Sequence, residues 1–157
     1  MYLFRKAHKN RLLIGRTVEG MAASCLYYAC RKLKKPISFK EIVKETSQKT
    51  KRIQKIYRVL VRTFELKVPI MRPVDYLSKF IADLGLNYDF EKKVRAFIEN
   101  LPFCLINGYN PIGICAGALY IIGKKEKLNL TQKKLSKVTG MTEATIRNKS
   151  REFENRR

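Results

Sequence analysis

The sequence predicts an all-α protein made of two helical repeats in tandem, the second of which ends in a helix-turn-helix. Three observations predict this fold class. Apolar residues recur at helical spacing along most of the 157 residues. The chain matches itself without a gap when it is shifted by 93 residues. Residues 131–151 have the form of a helix, a tight turn at Gly140 and Met141, and a second helix that opens at Thr142.

The self-match pairs residues 15–60 with residues 108–153 and contains 12 identical pairs in 46 positions. Two copies of one helical module account for this similarity, and a single irregular bundle with accidental self-similarity is the alternative. We therefore expect a first repeat over residues 1–68 and a second over residues 69–157. An extended linker around Pro69 would join them.

The sequence predicts four helices in the first repeat. Residues 1–14 form an amphipathic segment without an upstream cap, and Thr17 can cap the next helix. Ser38 and Glu41 have capping-box spacing, and a further helix runs over residues 50–64. The helix after Thr17 has a stripe wide enough for the centre of a bundle: Val18, Met21, Ala22, Cys25, Leu26, Ala29, Cys30 and Leu33.

The second repeat resumes helical periodicity after the linker. Asp89 can cap one helix, which we expect to bend near Pro102. Asn110 and Pro111 form a typical helix start, an N-cap followed by a first-turn proline. The helix-turn-helix completes this repeat.

The last helix divides into an apolar and a polar side. Ile146, Ser150 and Phe153 share one side at helical spacing and are predicted to be buried. A polar, basic outer side is also usual for any surface helix. The motif alone is therefore compatible with a DNA-binding helix and with an ordinary solvent-exposed helix. The remaining sides carry residues suited to base edges and phosphates: Thr145, Arg147, Asn148, Lys149 and Arg151.

The composition favours an acidic partner. The chain has 34 Lys and Arg against 13 Asp and Glu, which gives a net charge of +21. Nucleic acid is the commonest partner of such a chain, although a lysine-rich protein without this role is the alternative. The first 70 residues carry a net charge of +14 and the other 87 carry +7. We expect the second copy to recognise sequence and the first to dock onto acidic protein or phosphate.

Metal and membrane sites are not expected. The four cysteines form no CxxC pair, His8 is the one histidine, and acidic residues are scattered, so we expect no metal, no cofactor and no enzyme activity. Cys25, Cys30 and Cys115 fall on apolar stripes as reduced core residues. Without a signal peptide or a run of about 18 apolar residues, the protein is expected to stay in the cytosol.

Two ordered pairs of motifs resemble a known family. GRTVEGMAASCLYYACR followed by SFKEIVKETSQKTKRIQKIYRVLVR, and GYNPIGICAGALYIIG followed by TQKKLSKVTGMTEATIRNK, resemble the two cyclin-like repeats of archaeal transcription factor B. That family is the counterpart of eukaryotic general transcription factor IIB. The resemblance implies two five-helix cyclin folds that grip the TATA-box-binding protein on bent promoter DNA. It also implies that the final helix recognises the B-recognition element in the major groove.

The resemblance implies site residues by position. Ala144, Thr145 and Arg147 match base-contacting positions, and Arg147 can offer a bidentate fork to guanine. Asn148 and Lys149 would reach phosphate.

The first repeat also contains matching positions. Lys51 and Lys55 match positions that meet an acidic surface of the TATA-box-binding protein, which makes the cationic face that they share with Arg52 and Arg58 a candidate docking surface. Arg16 matches a minor-groove contact, and Gly15 beside it lets the backbone approach closely.

The chain departs from the family pattern in two ways. The zinc ribbon and the reader segment that engage RNA polymerase have no counterpart, so recruitment of polymerase is possible but is not implied. The first repeat lacks a match to its opening helix, so the apolar side that this helix would cover is exposed or filled by something else. The chain is then either a fragment or a degenerate relative of the family.

Two alternatives to a promoter-binding core follow. One is a cyclin-like adaptor that binds acidic protein and no DNA, and the other is a degenerate paralogue of the factor. A nucleic-acid enzyme is disfavoured because no paired carboxylates are present. We expect a monomer associated with the nucleoid.

Overall fold

The computed structural model describes residues 2–155 of the chain. Over these residues it contains ten α-helices and one short 3-10 helix, and no β-strand. The all-α prediction is therefore confirmed. The chain divides into two compact units, the first ending at Ile70 and the second beginning at Met71.

The first unit is built around the packing of its second and fourth helices. Its helices are α1 (Tyr2–Lys9), α2 (Val18–Lys32), α3 (Phe39–Lys44) and α4 (Thr50–Thr63). Helix α2 packs on α4, α3 and α1. The buried apolar residues form two small clusters: Ala7, Met21, Ile56 and Leu60 in one, and Ala23, Cys30, Ile42 and Ile53 in the other.

The second unit surrounds one central helix. Its elements are a 3-10 helix (Pro73–Tyr76), α5 (Leu77–Leu84), α6 (Tyr88–Glu99), α7 (Phe103–Ile106), α8 (Pro111–Lys125), α9 (Gln132–Thr139) and α10 (Glu143–Asn155). Helix α8 contacts the 3-10 helix, α6, α9 and α10. Because neighbours cover it on several sides, most of its residues are buried, and one continuous core results.

The backbone follows the 93-residue repeat. Helices α2, α3 and α4 each begin 93 residues before α8, α9 and α10 begin. Left-handed residues also recur at this distance: Gly15 (φ 71°) with Gly108 (φ 79°), and Lys34 (φ 51°) with Lys127 (φ 53°). A lysine rarely adopts a positive φ, so its recurrence at equivalent positions indicates the same turn in both copies.

Most predicted helix starts are confirmed. The Thr17 hydroxyl accepts a hydrogen bond from the backbone N–H of Gly20 at 3.2 Å. Ser38 and Glu41 form both hydrogen bonds of a capping box. The Asn110 side chain caps α8, whose first residue is a proline. These caps satisfy N–H groups that have no partner within their helix.

Asp89 does not cap α6, and that prediction is wrong. Asn87 is the N-cap, since its side chain accepts the N–H of Phe90 at 2.9 Å. The cap residue must have an extended backbone before the first helical residue, and Asn87 (φ −82°, ψ 166°) meets this condition. Asp89 lies inside the first turn.

Two predicted helices end early. The segment predicted as a helix over residues 1–14 is helical only as α1, because residues 10–15 form turns and Arg11 has a left-handed backbone (φ 54°). Its residue Met1 lies outside the described part of the chain. Helix α6 ends at Glu99, so Pro102 precedes the separate helix α7 and does not bend α6.

The predicted apolar stripe of α2 is only partly buried. Val18, Leu26 and Leu33 are 63%, 55% and 69% exposed. Helix α2 packs on α4 through small residues instead, and the buried Ser24 hydroxyl donates to the Gly20 carbonyl at 2.7 Å. The side of α2 that carries these three residues remains accessible to solvent.

Candidate nucleic-acid interface

The predicted helix-turn-helix is present as α9, a short turn and α10. Gly140 ends α9 with a left-handed backbone (φ 68°), and its N–H donates to the Ser136 carbonyl at 3.0 Å. The Thr142 hydroxyl then accepts the N–H of Thr145 at 3.2 Å, which satisfies the start of α10. The reversal between the two helices therefore depends on one glycine and one capping threonine.

The buried side of α10 is the predicted one. Ile146, Ser150 and Phe153 are 0%, 4% and 2% exposed. They pack on α8, which comes so close at Gly117 that a Cβ atom there would lie 2.9 Å from the Lys149 Cβ. This close contact fixes the rotation of α10, and with it the side that faces solvent.

The solvent-facing side of α10 carries four residues at helical spacing, Ala144, Arg147, Asn148 and Arg151. All four are exposed. Among the described residues no ion pair or hydrogen bond engages the side chain of Arg147, Asn148 or Arg151, although the Arg147 carbonyl accepts the Ser150 hydroxyl at 2.9 Å. Their donors and acceptors are therefore available to a ligand. A helix with one such face matches the width of the DNA major groove.

Thr145 lies at the edge of this face. Its hydroxyl is 2.8 Å from that of Thr142, and it is only half-exposed. Its methyl group lies 3.7 Å from the point where a Cβ on Gly113 would be, in the first turn of α8. Thr145 thus joins the start of α10 to α8 and presents only part of its surface outward.

Lys149, which is predicted to reach phosphate, packs against other residues of the chain. Its side chain is 12% exposed, and its Nζ lies 2.7 Å from a carboxylate oxygen of Glu152. The same Nζ lies 3.1 Å from the ring centroid of Tyr109, a cation–π contact. Lys149 therefore joins α10 to the turn before α8. Helical spacing does not indicate the Tyr109 contact, because it joins residues 40 positions apart in the chain.

Arg16 and Gly15 lie in the turn before α2. The Arg16 Nη1 donates to the carbonyls of Leu12 at 2.7 Å and Ile14 at 3.2 Å. A guanidinium has five N–H donors, so its other nitrogens remain able to donate to DNA. A Cβ on Gly15 would meet no atom within 4 Å. Glycine is therefore favoured at this position by its positive φ and not by lack of space.

Helix α4 presents the corresponding face in the first unit. Ile53, Ile56 and Leu60 are buried in it. The 93-residue shift relates Lys51, Lys55 and Arg58 to the exposed α10 positions 144, 148 and 151. The exposed residues of α4 form a cationic face without an ion pair among the described residues: Lys51, Arg52, Lys55, Arg58 and Arg62.

Each of the four cysteines is a free thiol in the described structure. Burial raises the pKa of the Cys25 thiol to about 11 and also raises the pKa of the Cys115 thiol, so both stay protonated near neutral pH. Within the described residues, no three His, Cys, Asp or Glu side chains come together to hold a metal ion. In that same part of the chain, no helix combines the length and apolarity needed to cross a membrane.

Comparison with known proteins gives consistent matches along the chain. Residues 1–63 and 66–156 match the family described as Transcription factor TFIIB repeat. The chain is 36% identical over 152 residues to a transcription initiation factor IIB of Pyrobaculum islandicum, a match that covers 96% of this chain and 46% of that protein. Proteins of the same name from Archaeoglobus fulgidus and Methanococcus maripaludis are 36% and 34% identical, with 47% and 45% of their lengths covered.

The chain thus spans about half the length of these curated relatives. The two family matches fall on the two compact units, which confirms the two cyclin-like repeats predicted from the motifs. With both matches covering nearly all of its length, the chain belongs to the TFIIB repeat family.

Proposed function

We propose that this chain is the promoter-binding core of a general transcription initiation factor, acting together with the TATA-box-binding protein. The observation that carries the proposal is the outward face of α10, where Arg147 and Asn148 are exposed and unpaired while the opposite side is buried. The names of the curated relatives support a role in transcription initiation.

The residues of α10 suit recognition of base edges. A guanidinium such as that of Arg147 forms two parallel hydrogen bonds to guanine O6 and N7 in the major groove. Ala144 and the methyl group of Thr145 suit contact with a thymine methyl, whereas Asn148 and Arg151 suit phosphate oxygens on the groove edges. Lys149 supports this face through Tyr109 and Glu152.

The first unit supplies a second surface. We propose that Lys51, Lys55 and their neighbours on α4 dock onto an acidic surface of the TATA-box-binding protein, since none of them is neutralised within the described chain. Arg16, beside the left-handed Gly15, would reach the minor groove with its unused donors.

A mobility-shift assay on TATA-containing duplex, with and without the TATA-box-binding protein and across salt concentrations, tests the proposal. Arg147→Ala should weaken the complex by about 5- to 150-fold, the equivalent of about 1–3 kcal/mol, and relax preference for the bases upstream of the TATA box. Wild-type binding should fall steeply as salt rises, because phosphate contacts release counterions.

Arg72→Ala is the matched control. Arg72 is exposed in the same unit and far in sequence from α10. Its side chain pairs with Asp75 at 3.6 Å, and its backbone N–H, which the substitution keeps, also donates to that carboxylate. The substitution should leave sequence preference unchanged. Unaltered base preference in Arg147→Ala would contradict the role of α10. Salt-sensitive binding to the TATA-box-binding protein without any affinity for duplex would favour the adaptor alternative.

A further inference from the structure

Tyr109 lies in the turn that leads into α8, and 46% of its surface is exposed. Its hydroxyl has no hydrogen-bond partner among the described residues. The Lys149 Nζ lies 3.1 Å from the centroid of its ring, so the ammonium covers one ring face. Tyr109 is therefore a partly exposed side chain whose ring has a partner and whose polar group has none within the described chain.

The segment that contains Tyr109 runs along one flank of α10. The neighbouring Asn110 Nδ2 lies 4.0 Å from the Met141 Sδ, just before α10 begins, and Tyr109 itself contacts Lys149 further along the helix. Lys149 follows the exposed Asn148, so its side chain leaves the helix about 100° around the axis from that residue. Tyr109 therefore borders the solvent-facing side of α10. When a helix lies in the major groove, the backbone phosphates run along such borders.

The first unit has the same turn with different chemistry. Under the 93-residue shift Tyr109 is equivalent to Arg16, and each follows a glycine with a left-handed backbone. Lys149 is equivalent to Ile56, which is 4% exposed and belongs to the core of the first unit. Each unit thus presents a long side chain with a polar end from this turn, but only in the second does a cation lie against it.

We propose that Tyr109 is a further DNA-contacting residue, which donates a hydrogen bond from its hydroxyl to a backbone phosphate beside α10. Lys149 is the positioning residue that holds the ring. A phenol O–H donates readily to a phosphate oxygen, and such a contact fixes the register of a protein on the duplex without carrying sequence information. The ammonium on the ring face draws electron density from the ring, which makes the hydroxyl a stronger donor.

This inference rests on the proposed function, because it requires α10 to lie in the major groove. It deepens that function by assigning a DNA contact to the turn before α8, outside the helix-turn-helix.

Tyr109→Phe removes the hydroxyl and keeps the ring against Lys149, so the variant should fold as the wild type does. In mobility-shift assays with the TATA-box-binding protein, it should bind duplex about 5- to 20-fold more weakly. The loss should be the same for every sequence upstream of the TATA box. The slope of affinity against salt concentration should stay unchanged, because a neutral group releases no counterion.

Duplexes in which one phosphate at a time is replaced by an uncharged methylphosphonate locate the contact. At one position beside α10 the replacement should weaken the wild type more than it weakens Tyr109→Phe, because the variant has already lost that hydrogen bond.

A second comparison tests Lys149 as the positioning residue. In a Lys149→Met background, with folding checked by circular dichroism, Tyr109→Phe should cost less affinity than it does in the wild type. An unsupported ring no longer holds the hydroxyl at the phosphate, so the two losses should not add.

Tyr88→Phe is the matched control. Tyr88 is 67% exposed in the same unit, and its ring also has a lysine against it, with the Lys92 Nζ 5.2 Å from the centroid. It begins α6, which packs on α8 and α5. Removal of its hydroxyl should leave duplex binding unchanged.

Several outcomes would overturn the proposal. Wild-type affinity in Tyr109→Phe, a change in its base preference, or an equal loss in Tyr88→Phe would each remove the phosphate contact. Additive losses with Lys149→Met would remove the positioning role of Lys149. Lack of duplex binding by the wild type would overturn the proposed function as well. An altered base preference in Arg147→Ala together with wild-type affinity in Tyr109→Phe would overturn only this inference.

Discussion

At the scale of single residues, Gly117 controls how closely α10 approaches α8. A Cβ atom at this position would lie 2.9 Å from the Lys149 Cβ and 3.1 Å from the Phe153 ring. Neither contact involves the flexible end of a side chain, because the first atom is next to the backbone and the second belongs to a buried ring. The rotation of α10, and with it the side that faces solvent, therefore depends on the absence of a methyl group at Gly117.

Gly117→Ala is expected to destabilise the protein by about 1–3 kcal/mol, the usual cost of an added methyl group in a packed core. It should also shift α10 outward and weaken duplex binding. Urea unfolding followed by circular dichroism measures the first effect.

Gly113→Ala is the control for this substitution, since it lies in the same helix and its Cβ would meet nothing closer than 3.7 Å. It should be neutral or stabilise by up to about 1 kcal/mol through helix propensity. Equal stability of the two variants would contradict the packing account.

At the scale of elements, α4 and α10 are the same framework with different outward residues. The buried Ile53 of α4 and the buried Ile146 of α10 are equivalent, and both are 0% exposed. One exposed face carries Lys51 and Lys55, and the other carries Ala144 and Asn148 at the same places. A dense cationic face suits an acidic surface, whereas short polar side chains suit close approach to base edges.

Lys51→Glu with Lys55→Glu is therefore expected to abolish the gain in duplex binding that the TATA-box-binding protein provides. Binding to duplex alone should weaken less, because α10 is unchanged. Helix α4 should persist, since both substitutions replace exposed residues and a glutamate near a helix N-terminus is favourable. The mobility-shift assay with and without the partner gives both values.

Lys9→Glu with Lys67→Glu changes the net charge of the same unit by the same amount at exposed positions outside α4. If this control abolished the gain in duplex binding from the TATA-box-binding protein as fully as the α4 variant does, the net charge of the unit would explain the docking. A specific role for the face of α4 would then be contradicted.

At the scale of the whole molecule, the two units differ in how fully they are packed. The second has one continuous buried core from Met71 to Phe153, centred on α8. The first has two small clusters and an uncovered side of α2. Because buried apolar area is the main stabilising term, the second unit should be the more stable one.

A fragment that begins at Met71 is expected to fold by itself, with a cooperative urea transition and a dispersed NMR spectrum. A fragment that ends at Ile70 should unfold at a lower urea concentration, because it buries less apolar area. If the fragment that begins at Met71 unfolded at a lower urea concentration than the fragment that ends at Ile70, the core comparison would be contradicted.

Much of the fold and of the candidate site follows from the sequence, because these features depend on local chemistry. Helical spacing located the buried Ile146 and the exposed Arg147, and capping residues located the starts of α2, α3 and α8. The 93-residue match predicted equivalent helices in both units.

What only the tertiary structure decided is which apolar and charged side chains have partners. Leu26 and Leu119 are the same residue at equivalent positions, yet one is 55% exposed and the other 0%, because a neighbouring element covers only the second. The residue pattern likewise predicts Lys149 as a phosphate ligand, and only the structure shows Tyr109 and Glu152 against its ammonium group. Periodicity reports which side of a helix is apolar or charged. Burial and pairing depend on residues distant in the chain, which only the folded structure brings into contact.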